Sequence, residues 1–232
     1  MTRVRVFADA DELGSALARE IVELQPSLLG CPGGRSLVST YRALTASDED
    51  LSGTTVVMMD EYVPVPPPSA HYSCRGFALR EIAEPLGIPR DSVWLPDPDE
   101  PAAYDARIEA AGGIDLFLLA SGASDGHVAF LPPGSPLGGR TSVVRLAETT
   151  RRDNVATFPE FASADEVPEH GVSVGLGTIA DARRVRLVLH GRDKRAAAER
   201  VTSLDDFDPS WPASVVHVCA DAEIWLDGQA AA

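Results

Sequence analysis

The sequence predicts an α/β fold, a mostly parallel sheet with helices on both faces. Three observations carry that expectation. Short apolar runs alternate with stretches of helical periodicity along most of the chain, which is the pattern that places helices between parallel strands. The run Thr54-Thr-Val-Val-Met-Met59 lacks the alternation of a half-solvated strand and suits a central strand covered on both sides. Glycine and charged clusters follow the ends of apolar runs instead of scattering. With 232 residues and 44% hydrophobic content, the chain can bury a full core, and one domain over residues 1–232 is the simplest partition.

Asp9-Ala-Asp-Glu12 has the spacing of a helix N-cap with its capping glutamate, and Leu13, Leu17, Ile21 and Leu24 then share one helical face. Ser27-Leu-Leu-Gly30 reads as a short strand, followed by the glycine loop Cys31-Pro-Gly-Gly34-Arg-Ser36 and a second helix through Tyr41 and Leu44. The central strand over 54–59 ends at Asp60-Glu61-Tyr62. Pro64 to Pro68 then force a loop before a helix from about His71 to Glu84. Ser92 to Leu95 predicts a weak strand, Glu100 to Ala111 a helix with Pro101 in its first turn, and Ile114 to Ala120 a strong strand. Further on, strands are expected over Ser142 to Leu146, Gly171 to Gly175 and Val185 to His190, with short helices over Thr178 to Ala182 and Asp193 to Val201. Ala213-Ser-Val-Val-His-Val-Cys219 is expected to close the sheet.

Composition excludes several partners. Twenty basic against 35 acidic residues give a formal charge of −15, which argues against nucleic acid or an anionic membrane, since either calls for a basic face. A small anionic ligand stays compatible, because screening over roughly 8 Å lets a local cationic pocket act. No run of about 20 apolar residues occurs, and Met1-Thr-Arg-Val-Arg-Val-Phe7 has no secretory core; a cytoplasmic protein is expected. Cys31, Cys74 and Cys219 lack metal or redox spacing and read as buried, inert thiols. Lys194 is the only lysine among the 20 basic residues.

Ligands of parallel α/β sheets gather beyond the carboxyl ends of the strands. Four polar clusters fall at such ends: Gly33-Gly34-Arg35-Ser36, Asp60-Glu61, Asp125-Gly-His127 and Gly191-Arg-Asp-Lys194. The topology therefore directs them to one cleft. A glycine loop entering a helix offers free backbone N–H groups and the positive dipole end, which together suit a phosphate. The turn carrying Asp125 and His127 adds a carboxylate beside the side chain whose proton affinity lies nearest neutral pH.

Five stretches carry a resemblance that spans nearly the whole chain. They are Leu29 to Leu44, Met59-Asp-Glu-Tyr-Val63, Ser124-Asp-Gly-His-Val-Ala-Phe130 with Pro133-Gly-Ser135 and Arg140-Thr141, Val174-Gly-Leu-Gly-Thr178 with Asp181-Ala182, and His190-Gly-Arg-Asp-Lys194. In this order they resemble the glucosamine-6-phosphate deaminase/isomerase family, which shares its fold with the 6-phosphogluconolactonases. The resemblance implies a Rossmann-like domain acting on a small amino-sugar phosphate without a metal or organic cofactor. It implies that Asp60 moves a proton between C1 and C2 of the open-chain sugar and that His127, oriented by Asp125, opens the ring. Gly34, Arg35, Ser36 and Lys194 would bind the phosphate. Homo-oligomers are common in the family, although no stretch of this chain marks an interface.

Two departures qualify what the resemblance implies. Deaminases usually follow the histidine with Ala-Phe-Asn-Glu-Pro, whose glutamate pairs with it, but this chain has Ala129-Phe-Leu-Pro132-Pro133. Proline cannot exchange a proton or orient an imidazole. The family's phosphate-binding arginine falls on Ala156, which removes one charge-assisted contact unless Arg35, Arg151 or Arg152 reaches the site. A lactone hydrolase, in which His127 activates water, and a catalytically silent sugar-phosphate-binding regulator are the alternative readings.

Overall fold

The computed structural model describes residues 2–232. Its strands are β1 (Arg3–Phe7), β2 (Leu28–Cys31), β3 (Thr55–Met58), β4 (Asp60–Val63), β5 (Val93–Trp94), β6 (Leu116–Ala120), β7 (Ser142–Arg145), β8 (His170–Ser173), β9 (Val185–Leu189) and β10 (Ala222–Asp227). The helices are α1 (Ala10–Leu24), α2 (Val38–Thr45), α3 (Cys74–Ala78), α4 (Pro101–Ala110), α5 (Glu148–Thr157), α6 (Leu176–Ala180) and α7 (Arg195–Thr202). Seven strands form one sheet in the order β1-β10-β9-β6-β2-β3-β5, parallel throughout, and β4-β8-β7 form a second, antiparallel sheet.

The large sheet is buried on both faces, and the alternation of its side chains shows how. Leu29, Cys31, Val56, Met58, Leu116 and Leu118 pack with α1, α2 and α3. Their neighbours Leu28, Val57, Met59, Phe117 and Leu119 pack on the opposite side with residues of α4, α6 and α7. Successive side chains of a strand point to opposite faces, so a strand covered on both sides is apolar along its buried length, as β6 and Val56–Met58 of β3 are. Gly30 lies where a side chain would overlap the Phe117 ring of the adjacent strand.

The α1 start follows from local chemistry. Asp9 accepts from the backbone N–H of Asp11 and Glu12, and Glu12 reaches back to the N–H of Ala8 at 2.6 Å. These bonds satisfy donors that a helix start leaves unpaired. Leu13, Leu17 and Ile21 are at most 1% exposed, each burial contributing roughly 1.5–3 kcal/mol.

Four expectations are corrected. Ala213 to Cys219 does not close the sheet: Pro212–His217 is a 3₁₀ segment whose proline stands in its first turn, and β10 is the strand beside β1. Burial of Ala213, Val215 and Val216 outweighs the strand preference of two valines. Asp60-Glu61-Tyr62, where the central strand was expected to end, opens a further strand, β4, paired with β8, so the strand expected at Gly171 belongs to the second sheet. The helix expected from His71 begins at Cys74, where Ser73 accepts from the Gly76 N–H, and its later turn over Leu79–Ala83 is π-helical. Finally, Lys194 ends a 3₁₀ turn (Arg192–Lys194) and caps α7, one position before the helix itself.

Candidate active site

The carboxyl ends of β2, β3, β6 and β9 converge on a cavity of about 270 Å³. It is lined by Gly34, Arg35, Ser36, Asp60, His127 and Lys194 among others. All four clusters singled out in the sequence thus contribute to one cleft. Asp125 stands directly behind His127.

Asp60 opens β4, with only Met59 between it and the end of β3. Tyr104 donates its hydroxyl to the carbonyl of Met58 at 2.7 Å and to that of Trp94 at 3.0 Å, which fixes the end of the strand. Asp60 is 6% exposed. Burial pushes its carboxyl up to about 7, the Cys74 thiol pulling the other way by donating to Oδ1 at 3.3 Å and the Glu61 charge adding to the rise. Glu61 has a separate duty. It accepts from the backbone N–H of Tyr62, Cys74 and Arg75 and from Ser73 Oγ, four donors that satisfy its buried carboxyl group.

The β6 end carries the acid–imidazole pair. Asp125 Oδ1 lies 2.7 Å from His127 Nδ1 and accepts from the His127 backbone N–H at 3.1 Å. Its other oxygen accepts from Thr149 Oγ1 on α5. Burial alone would raise the Asp125 carboxyl, but the hydrogen bonds and charge of His127, with the Thr149 bond, hold it well below the usual carboxylate range. Because Nδ1 is engaged, Nε2 is the ring nitrogen left for a ligand. Gly122 permits this packing: an added side chain there would overlap His127 Nδ1 and sit 2.6 Å from Asp125 Oδ1. Gly126 takes φ +67°, where a side chain would also strike the Trp211 ring.

Beyond the end of β2, Gly34 adopts φ +83° and leads into a 3₁₀ turn (Arg35–Leu37) and then α2. Lys194 donates to the Ser121 carbonyl at 2.7 Å, and burial lowers its ammonium from the ordinary value against the opposing charges of Asp153 and Asp193. His190 Nε2 lies 3.0 Å from the Ser36 carbonyl, and Asp227 accepts from the Gly191 N–H at 3.0 Å. These bonds tie the lysine turn to the glycine loop and to the sheet.

The two departures take structural form. Pro132 lies outside the cavity lining, and its carbonyl accepts from the backbone N–H and hydroxyl of Ser135; Asp125 is the partner of His127. Ala156 is exposed on α5. Arg151 is turned to the Val167 carbonyl and Arg152 to Glu148, so of the three arginines considered as substitutes only Arg35 lines the cleft.

Three contributors escaped the sequence reading. Helix α5 supplies Thr150, Asp153, Asn154 and Thr157 to the wall, yet its Glu-Thr-Thr-Arg-Arg-Asp-Asn stretch has no apolar stripe to announce a helix. Thr149, on the same helix, holds Asp125, and no motif in the sequence marks it. Cys74, read as an inert core thiol, lines the cleft beside Asp60; burial raises its thiol well above the usual range, so it is a protonated donor and not a nucleophile. Among the described residues no group of three or more His, Cys, Asp or Glu is placed to hold a metal ion.

A family profile described as glucosamine-6-phosphate isomerases/6-phosphogluconolactonase matches residues 7–225. The chain belongs to that family. Within it, the glucosamine-6-phosphate deaminase of Bifidobacterium longum subsp. infantis is 35% identical over 98% of this chain and 90% of its own. A solved monomeric glucosamine-6-phosphate deaminase superposes with a TM-score of 0.91 at 25% identity, covering 99% of this chain and 98% of that one. The 6-phosphogluconolactonase of Trypanosoma cruzi shares the fold, with a TM-score of 0.76 at 20% identity over 100% and 96% of the two chains. The family is enzymatic, and both of its branches are represented among the structural neighbours.

Proposed function

We propose that the protein is a sugar-phosphate isomerase/deaminase acting on glucosamine 6-phosphate or a closely related amino-sugar phosphate. The observation that carries this reading is a buried carboxylate, Asp60, in the same cleft as a carboxylate-oriented imidazole and a lysine anchor; burial pushes the Asp60 carboxyl up toward neutrality. A base with a pKa near the working pH both takes and returns a proton efficiently. His127, held by Asp125, uses Nε2 to move the proton that opens the sugar ring. Asp60 then removes the C2 proton of the 2-amino aldehyde, giving an enamine, and returns a proton to C1. The imine so formed at C2 takes up water and loses ammonia, leaving the ketose phosphate. Lys194 and the Gly34-Arg35-Ser36 loop hold the phosphate, combining a charge with the backbone N–H groups of a helix start.

A lactone hydrolase is the second reading, favoured by one feature. With Pro132 outside the cavity, His127 and Asp125 form a two-residue base that could activate water unaided. Incubating the protein with glucosamine 6-phosphate and, separately, 6-phosphogluconolactone distinguishes the two. Ammonia release without lactone loss supports the deaminase. Lactone loss without ammonia supports the hydrolase and contradicts the proposal.

A further inference from the structure

Helix α5 brings Thr150, Asp153, Asn154 and Thr157 to the cleft, the spacing of one helical face. Part of the hydrogen-bonding capacity of this face is unused. Thr150 is 1% exposed, and its Oγ1, like Asn154 Nδ2, is buried without a partner among the described residues. Buried polar atoms are nearly always paired, so unpaired ones on a cavity wall point to a ligand that completes them.

The charges around Lys194 point the same way. Arg35 is matched by Asp193 at 3.7 Å. Asp153 and Lys194 both line the cleft, and the charge of Asp153 acts on Lys194, yet no ion pair joins the two among the described residues. Phosphate alone would meet the lysine but also the carboxylate. A ligand that presents an anion and, beside it, an O–H donor satisfies both.

We infer that this face of α5 is a specificity wall, on which Asp153 accepts a hydrogen bond from a hydroxyl of the phosphosugar while Lys194 holds its phosphate. Thr150 and Asn154 take further hydroxyls. The ligand class is a phosphorylated polyol chain, selected over phosphate itself. This rests on the sugar-phosphate reading above and adds what the cleft demands beyond the phosphate.

Calorimetric titration of the full chain with glucitol 6-phosphate, an unreactive open-chain analogue, and with inorganic phosphate provides the test. Asp153→Ala should weaken the hexitol phosphate about tenfold or more, as loss of a hydrogen bond to a charged group does, while phosphate binds as well as before or better. Asp153→Asn, which preserves the shape, should weaken it in the same direction by a smaller factor. Thr150→Val should weaken the hexitol phosphate and Thr150→Ser restore it. Hexitol phosphate affinity within about twofold of wild type in both Asp153 variants overturns the inference, as does equal weakening of both ligands. If the wild-type protein binds the hexitol phosphate with the expected dependence on Asp153 but releases no ammonia from glucosamine 6-phosphate, the wall stands and the reaction assignment fails. Binding of neither ligand overturns both.

Discussion

Cys74 donates its thiol hydrogen to Asp60 Oδ1 at 3.3 Å, and both residues line the cleft. The thiol is held in turn through its backbone N–H by Glu61, so a buried carboxylate positions the donor that acts on its neighbour. The bond favours the ionised form of Asp60 and opposes the larger effect of burial.

Removing that donor should therefore raise the proton affinity of Asp60 further. Cys74→Ala is expected to move the acid limb of kcat/KM upward from about pH 7 by roughly half a unit to one unit, and Cys74→Ser, which keeps a donor, to leave it near or below its original place. A limb that does not move in Cys74→Ala would mean that the thiol only fills space.

The same burial makes Asp60 a burden on stability. Its carboxyl goes from 3.8 unfolded to about 7 folded, so the folded state binds the extra proton and stability falls as pH rises through that window. The cost in the ionised state is about 4 kcal/mol. Asp60→Asn should unfold at higher denaturant concentration than wild type at pH 8.5, with the difference shrinking toward pH 4. A variant equally or less stable at pH 8.5 would show that the carboxylate is well accommodated.

Orientation of His127 depends on Asp125, which Thr149 holds from α5. Thr149→Val should lower kcat by about tenfold, in line with losing one charge-assisted bond, and Thr149→Ser should recover most of it. Gly122→Ala should be more damaging, because its methyl would occupy the place of the His127–Asp125 contact. Ring nitrogen signals of His127 in NMR spectra report the displacement directly; unchanged signals in Gly122→Ala would contradict the packing.

Pro132→Glu is expected to change ammonia release by less than about threefold. Restoring a carboxylate in the sequence does not bring it to the imidazole, because this position lies outside the cavity and its carbonyl closes a turn with Ser135. A large gain would mean that the turn yields and the glutamate reaches His127.

The sequence was most legible where local chemistry and burial agree. The Asp9–Glu12 cap and the strands β3 and β6 lie where their residues predict, and the four polar clusters reach one cleft although Asp60-Glu61 opens a further strand. Two kinds of feature stayed hidden. Val215 and Val216 favour a strand by propensity, but tertiary burial places them in a 3₁₀ segment. Helix α5 turns polar residues into a cavity instead of apolar ones into the core, so hydrophobic periodicity has nothing to detect. Cys74 and Thr149 act through contacts across 14 and 24 residues of chain, a proximity that only the fold creates. The family resemblance pointed to Asp60, Asp125, His127, Lys194 and the Gly34-Arg35-Ser36 loop, but not to Cys74, Thr149 or the polar face of α5.

The most direct test of the account is ammonia release from glucosamine 6-phosphate by the Asp60→Asn protein, compared with wild type at pH 7.5. Asparagine keeps the size of the side chain and is expected to stabilise the fold, so lost activity would not reflect unfolding. Wild type is expected to release ammonia and the variant to do so about a thousandfold or more slowly, consistent with the roughly 10²–10⁴-fold contribution typical of a positioned base. Release at the wild-type rate by Asp60→Asn would contradict the account.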